Sequence, residues 1–346
     1  MDILFDINHP AHVHYFKHAI RKLQKNGHIV WVVARDKEIT YQLLEEEGIS
    51  FIGRGKGGVS VPEKVFYNIR AVKLLHRIIS EKNIKLVISF MHPYAAQAAF
   101  LSGVPSLLFS DTEQAFWHHL FTTPFASEIH TPQVFSRNLG RKHTRFSSFM
   151  ELAYLNTRDF GLSSAVLNNE NNPTGKRKAF VRFVSRSSMH DLSHRGITNI
   201  QKITLVKALS EYFEVCISSE IPLPSELKKY QIRTSVKDIH HVLSASDVYV
   251  GESATMAAES AFLGVPAVFI DDEGRSYTDH LEHTFNIIKR VSESEQGIRE
   301  SVEVAREMGI RSSDEKKEKR NSICSGYLNT TDYILSQIHK LLKSNL

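Results

Sequence analysis

Residues 247–270, DVYVGESATMAAESAFLGVPAVFI, spell out one complete structural unit. An apolar run ends at Val250, a turn of small residues follows, and a helix opens at Ser253-Ala254-Thr255. Alanines pack that helix, Gly264 ends it, and Pro266 stands just before a second apolar run, where a missing N–H costs little. Strand, helix and strand in this order form a βαβ unit, the building block of a parallel sheet covered by helices.

The joint occurs twice. Residues 95–105, AAQAAFLSGVP, lead into SLLF as residues 257–266, AAESAFLGVP, lead into AVFI. Duplication of a half and convergence on a common helix-to-strand joint both produce this likeness, and under either account the segments mark equivalent places in two similar sheets. Residues 1–7, 28–34, 85–89 and 106–109 read as buried strands, alternating with helical patterns at 15–26 (stopped by Gly27) and 38–47 (stopped by Gly48). The rhythm resumes with strands at 179–185, 213–217, 247–250 and 267–270 and a helix at 198–210. NNENNPTGKRK, 168–178, is polar and rich in turn formers and reads as a linker. The expected organisation is α/β: a doubly wound domain over 1–167, the linker 168–178, a second such domain over 179–325, and a terminal helix, 326–346, packing back on the body. SSDEKKEKRNS, 312–322, reads as a solvated helix face.

At 346 residues the chain exceeds the usual single core, and 42% hydrophobic with 23% charged residues describes a globular protein. No segment approaches the roughly 20 apolar residues of a membrane span, and the N-terminus lacks the order of a signal peptide, so a cytoplasmic location is expected. Cys216 and Cys324 stand alone, which excludes a disulfide framework and a cysteine zinc site. A formal charge of +5 favours anionic partners. Lysine and arginine are spread along the chain instead of clustering with aromatics, so nucleic acid ranks last among them.

Open parallel sheets bind ligands beyond the carboxyl ends of their strands. In the first half those loops are Asn8-His9-Pro10-Ala11-His12-Val13-His14, then Met91-His92-Pro93-Tyr94, then Ser110-Asp111-Thr112-Glu113. A histidine on this rim can move protons while a carboxylate sets its basicity, so His12, Asp111, His9 and Glu113 are the candidate catalytic residues, with Asn8, His14 and His92 beside the substrate. In the second half the turn Gly251-Glu252-Ser253-Ala254-Thr255 lets a phosphate approach backbone N–H groups at a helix start. Glu259, four residues after Thr255, lies one turn in, where its carboxylate can accept from a ribose diol. On this reading Glu259→Ala loses the nucleotide without changing the melting temperature. RSSMHDLSHRG, 186–196, adds Arg186, Ser187 and His190 after the first strand of that half. Lower in rank are Asp271-Asp272-Glu273, read as a solvated turn, and GRGKGG, 53–58, a basic mobile loop near the acceptor. FWHHLF, 116–121, reads as a buried helix start, with a membrane or lipid contact as its other reading.

These segments, DINHPAHVHYF, SFMHPYAAQAAFLSGVPSLLFSDTE, VRFVSRSSMHDLSHRG and GESATMAAESAFLGVP, together resemble the domain-of-unknown-function family 354 of predicted glycosyltransferases. More distantly they are similar to the GT-B superfamily, which includes UDP-N-acetylglucosamine 2-epimerase and the N-acetylglucosaminyltransferase that makes lipid II. The resemblance implies a GT-B-like fold: two Rossmann-like domains facing across a cleft, the second holding a nucleotide-sugar donor. HPAHVHYF looks like the Gly-His-x-x-Pro region, with His12 at the histidine position and the flanking glycines absent. Glu259 stands where a carboxylate grips the uridine ribose, and Ser253-Ala254-Thr255 replaces Ser-Gly-Gly. Ser185-Arg186-Ser187-Ser188-Met189 replaces the epimerases' His-Arg-x-Glu-Asn, which argues against epimerase chemistry. The implied activity is metal-independent transfer of a sugar, with His12 or Asp111 as base, from a nucleotide-sugar co-substrate, a UDP-sugar, to a glycan or lipid-linked acceptor, without a further cofactor. A peripheral contact with the inner membrane face and a place in polysaccharide biosynthesis fit this reading. A nucleotide-sugar epimerase or hydrolase is the alternative.

Overall fold

The computed structural model describes residues 1–58, 60–161, 175–184, 196–232, 234–311 and 313–344. The chain divides into two compact units, Met1–Tyr154 with Tyr327–Leu346, and Leu155–Gly326. The expected linker lies outside the described residues over 168–174, and its last two residues, Arg177 and Lys178, already belong to a strand.

The first unit is built on a seven-stranded sheet in the order β3-β2-β1-β4-β5-β6-β7. Its strands are β1 (Asp2–Ile7), β2 (Ile29–Asp36), β3 (Ile52–Lys56), β4 (Leu86–Phe90), β5 (Ser106–Phe109), β6 (Glu128–Pro132) and β7 (His143–Phe146). Every described pairing is parallel. β1, β4 and β5 are buried almost throughout, as strands covered on both faces must be. The helices are α1 (Pro10–Lys25), α2 (Thr40–Glu46), α3 (Val61–Glu81), α4 (Pro93–Leu101) and α5 (Phe116–Thr122), with α12 (Thr330–Ser344) returning from the C-terminal end. α1 starts at Pro10 rather than near Tyr15, because Pro10 suits the first helical position and His9 Nδ1 accepts the Ala11 N–H as N-cap. It is seated by a ladder of rings, Phe5 on Phe16 at 5.5 Å, Phe16 on Phe109 at 5.9 Å and Phe109 on Phe146 at 6.4 Å. Tyr333 of α12 closes the ladder, stacked on Phe146 at 4.7 Å. Each such pair adds about 0.5–1.5 kcal/mol beyond its buried area, which holds α1 and the loop before it.

The second unit has a five-stranded parallel sheet in the order β12-β11-β10-β8-β9. Its strands are β8 (Arg177–Phe183), β9 (Phe213–Ser219), β10 (Val248–Gly251), β11 (Ala267–Ile270) and β12 (Ile288–Val291). The helices are α6 (Asn199–Tyr212), α7 (Ile239–Ser244), α8 (Ala254–Phe262), α9 (Ser276–Phe285), α10 (Glu295–Met308) and α11 (Ser313–Ser325). The repeated joint falls on α4 and α8, each leaving through a glycine of positive φ, Gly103 at 65° and Gly264 at 79°. β1-β4-β5 and β8-β10-β11 are therefore matching thirds of the two sheets.

Three expectations are corrected. GRGKGG is not a mobile loop through its length, because Ile52–Lys56 pairs with β2 as the edge strand β3. FWHHLF does form a helix, α5, but only His119 and Thr122 are buried, while Phe116, Trp117, Leu120 and Phe121 face outward. The acidic turn is hydrogen-bonded rather than simply solvated. Asp271 is buried and its Oδ1 accepts the Glu273 N–H at 2.7 Å.

Candidate functional site

In the first unit the chain moves from β1 through β2 to β3 on one side, then crosses back to start β4 on the other side of β1. The crevice at this reversal is the natural ligand site of a doubly wound sheet. Asp6 pairs with Ser89 and Phe90 with Phe109, so the three strands finish level and their loops meet.

His12 lies in the first turn of α1, buried, its ring 4.6 Å from Phe90 and 6.1 Å from His92. Its Nδ1 accepts the Asn8 N–H at 3.3 Å, so the neutral ring carries its proton on Nε2. Burial, reinforced by the charges of His9, Lys37 and Arg54, holds its pKa well below 6.5. His92 is kept neutral in the same way, by burial first and His118 next, and stacks on Tyr94 at 5.4 Å. Asp111 faces this group through Tyr15, whose hydroxyl donates to Oδ2 at 3.1 Å while Thr112 donates to Oδ1 at 2.8 Å. Burial dominates over these donors and raises the Asp111 carboxyl from 3.8 to about 6.

The remaining candidates of the first rim make other contacts, His9 with its ring 5.9 Å from that of His12. His9 caps α1 and stands 3.6 Å from Glu38. His14 is stacked on Tyr154 at 5.1 Å. Glu113 ties down the turn after β6, its Oε1 accepting the Ser136 N–H at 3.2 Å and its carbonyl accepting from Arg137 at 2.8 Å. Asn8 joins a buried network that sequence reasoning missed. Its Nδ2 donates to Asp6 Oδ2 at 2.8 Å, its Oδ1 accepts from Arg54, and Arg54 pairs with Asp6 at 3.0 Å. The Arg54 guanidinium lies over the Tyr94 ring at 4.7 Å. The visible signal was a carboxylate inside the apolar run DILFDI; its partner, 48 residues on, is not encoded near it.

In the second unit the reversal lies between β8 and β10, flanked by the turn Gly251-Glu252-Ser253. Gly251 is required there: a Cβ would lie 2.5 Å from the Arg182 carbonyl oxygen and 2.8 Å from the Tyr249 hydroxyl. Gly251→Ala is expected to cost about 3 kcal/mol, read as a lower denaturation midpoint, since the nearest obstacle is backbone. Tyr249 braces the turn, accepting the Ser253 N–H at 3.2 Å and donating to the Ser253 carbonyl at 3.1 Å. Ser253 Oγ is the N-cap of α8, accepting the Met256 N–H at 3.2 Å. The N–H groups of Ala254 and Thr255, the first two helical residues, have no intrahelical acceptor and remain available to an anion. Glu252 is buried, taking the Ile197 N–H at 3.0 Å with Lys202 at 4.0 Å. Glu259 is buried one turn into α8, and its Oε1 meets Nε2 of His240, on α7, at 3.0 Å. His240 is a second residue that sequence reasoning missed. Arg182 donates to Ser218 Oγ at 2.6 Å and pairs with Glu220. Arg186, Ser187 and His190 lie outside the described residues. Among the described residues no cluster of three or more His, Cys, Asp or Glu side chains is placed to hold a metal ion, and no helix is long and apolar enough to cross a membrane.

The fold is found in solved structures of low sequence identity. UDP-GlcNAc 2-epimerase from Neisseria meningitidis, solved bound to UDP-GlcNAc, superposes with a TM-score of 0.68 at 14% identity, over 98% of this chain and 100% of that one. The spinosyn rhamnosyltransferase SpnG, solved with spinosyn aglycone, superposes with a TM-score of 0.58 at 12% identity, over 95% and 98%. Both likenesses concern the architecture, two α/β domains of the GT-B type. In sequence, the chain is 26% identical over 290 residues to the uncharacterized protein MJ0665 of Methanocaldococcus jannaschii, covering 78% of this chain and 81% of that protein. The profile of the family described as "Protein of unknown function (DUF354)" matches residues 1–324, and by a match of that extent the chain belongs to that family.

Proposed function

We propose that the protein is a glycosyltransferase that moves a sugar from a nucleotide-sugar donor, a UDP-sugar, to a glycan or lipid-linked acceptor. The observation that carries this reading is Glu259, a buried carboxylate one turn below an open helix start and oriented by His240 at 3.0 Å. The Ala254 and Thr255 N–H groups would meet the diphosphate at the positive end of α8, and the Glu259 carboxylate would accept from the ribose diol. Arg186, named from the sequence, would add a cation to the departing diphosphate, so the reaction needs no metal.

In the first unit Asp111 is assigned as the base and His12 as a neutral donor. His12 Nδ1 is occupied by the Asn8 N–H, which leaves Nε2–H to donate to a developing negative charge rather than to accept a proton. Asp111, with its carboxyl near 6, is ionised at neutral pH yet basic enough to take the acceptor's hydroxyl proton. The rate limb governed by this group is expected to rise with pH through about 6 and to level off above it, in a kcat/KM profile for the acceptor. A flat profile from pH 5 to 8 would remove Asp111 from the role.

The same carboxylate and imidazole also suit proton removal from a sugar carbon, so an epimerase or hydrolase is the second reading. Incubation with UDP-N-acetylglucosamine and no acceptor separates the two. The transferase reading expects donor binding without turnover; epimer, or free sugar with UDP, at catalytic rates would replace it.

A further inference from the structure

β3 and α3 flank an open cavity of about 730 Å³ in the first unit, lined by Arg54 and Lys56 from the strand and Arg70, Lys73 and Arg77 from the helix, with no carboxylate in its wall. Among the described residues Lys56, Arg70 and Lys73 have no carboxylate within 4.0 Å, and Arg77 has only Glu81, at 3.9 Å and solvent-exposed. Arg54 is the anchor of this wall. Its side chain is 1% exposed, one nitrogen serves Asp6 and Asn8, and Nε and Nη1 are buried with no hydrogen-bond partner among the described residues. Buried guanidinium donors left unmatched are costly, and like charges three and four residues apart on a helix repel. A single multivalent anion would relieve both penalties. Planar guanidinium forks match phosphate oxygens in pairs, and the volume suits a small polyanion together with part of what carries it.

We propose that this cavity binds a phosphate-bearing ligand, through a phosphate monoester or diphosphate group. Arg54 also grips Asn8, whose N–H orients His12, so a group held there lies beside the assigned proton-transfer residues. Resting on the function proposed above, the phosphate is that of the sugar acceptor. Phe66, Arg70, Lys73 and Arg77 recur at i, i+4, i+7 and i+11, on one line of α3, and Phe66 is 67% exposed. An apolar group at the end of a basic line is a reason to test a lipid-borne phosphate beside a free one.

The test uses the full chain and the triple variant R70Q/K73Q/R77Q, with K228Q/K229Q on the second unit as a charge control. Pyrophosphate binding is measured by calorimetry with UDP present, and circular dichroism confirms that each variant is folded. The expected result is a pyrophosphate Kd raised about tenfold or more in the triple variant and unchanged in the control. In parallel, co-sedimentation is measured with phosphatidylcholine vesicles with and without phosphatidic acid. Retention only with phosphatidic acid, lost in the triple variant, identifies a lipid-borne phosphate; pyrophosphate binding without retention identifies a soluble one. Wild type that binds neither probe, or equal losses in triple and control variants, overturns the proposal. UDP affinity, measured separately, is expected to be the same in the triple variant. Wild type that binds pyrophosphate but not UDP would sink the nucleotide-sugar reading and leave the cavity assignment standing.

Discussion

Asp111→Asn is expected to lower kcat by about 10²–10⁴-fold while making the folded protein more stable at pH 8. The loss follows from removing the carboxylate proposed as the base, since Nδ1 of His12 is engaged by Asn8. Asparagine fits the site: its oxygen can keep the Tyr15 donor, and the Thr112 hydroxyl can turn to accept from its amide. The gain in stability follows from the raised carboxyl. Folded Asp111 titrates near 6 against 3.8 for the ordinary group, so the folded state binds this proton more tightly. The stabilisation linked to that proton is fully present below about pH 4 and is lost as pH rises through about 6. At pH 8 the buried charge opposes folding by about 2–3 kcal/mol, a penalty that asparagine lacks. Urea denaturation of wild type and variant at pH 4 and pH 8 checks this. The two should agree at low pH and diverge at high pH; a variant that loses activity and stability together would show that Asp111 holds the loop instead.

Glu259 carries the second large effect. Glu259→Ala is expected to weaken UDP binding by about 100-fold, the value of two hydrogen bonds from a ribose to a charged acceptor. The expectation from sequence that the apo protein keeps its melting temperature is revised. The side chain is buried against His240, and truncation leaves an imidazole nitrogen without its partner at a cost of about 2 kcal/mol. Glu259→Gln separates the effects, because the amide oxygen can still accept from His240 Nε2. That variant should keep most of the stability and still bind UDP about tenfold more weakly, having lost the charged acceptor. Wild-type UDP affinity in Glu259→Gln, measured by calorimetry, would refute the role of the carboxylate.

The architecture was legible in the sequence because its signals are local. Apolar runs such as SLLF and AVFI carry their own burial, and the glycine exits after α4 and α8 need a positive φ that few residues adopt. A repeated helix-to-strand joint was enough to place two matching βαβ units at equivalent positions of two sheets. The short strands β3, β6, β7 and β12 escaped this reading. Each carries exposed or charged positions, as in IGRGK and HTRF, and such edge or near-edge strands lack the continuous apolar run of a central one.

The residues at the reversals were partly legible as well. His12, Asp111 and Glu259 follow from the rule that loops after parallel strands hold the ligand, which depends only on strand order along the chain. Which partners each meets was decided by tertiary structure. The proton on His12 is placed by the Asn8 N–H, the basicity of Asp111 is set by burial that outweighs its Tyr15 and Thr112 donors, and the orientation of Glu259 depends on a histidine 19 residues away. Arg54 is the clearest case. In the sequence it sits in a glycine-rich basic loop; in the fold it pairs with a buried carboxylate on β1 and opens into a cationic cavity with α3. Periodicity records which face of an element is buried, and the distant group that meets that face is chosen only when the strands take their order in the sheet.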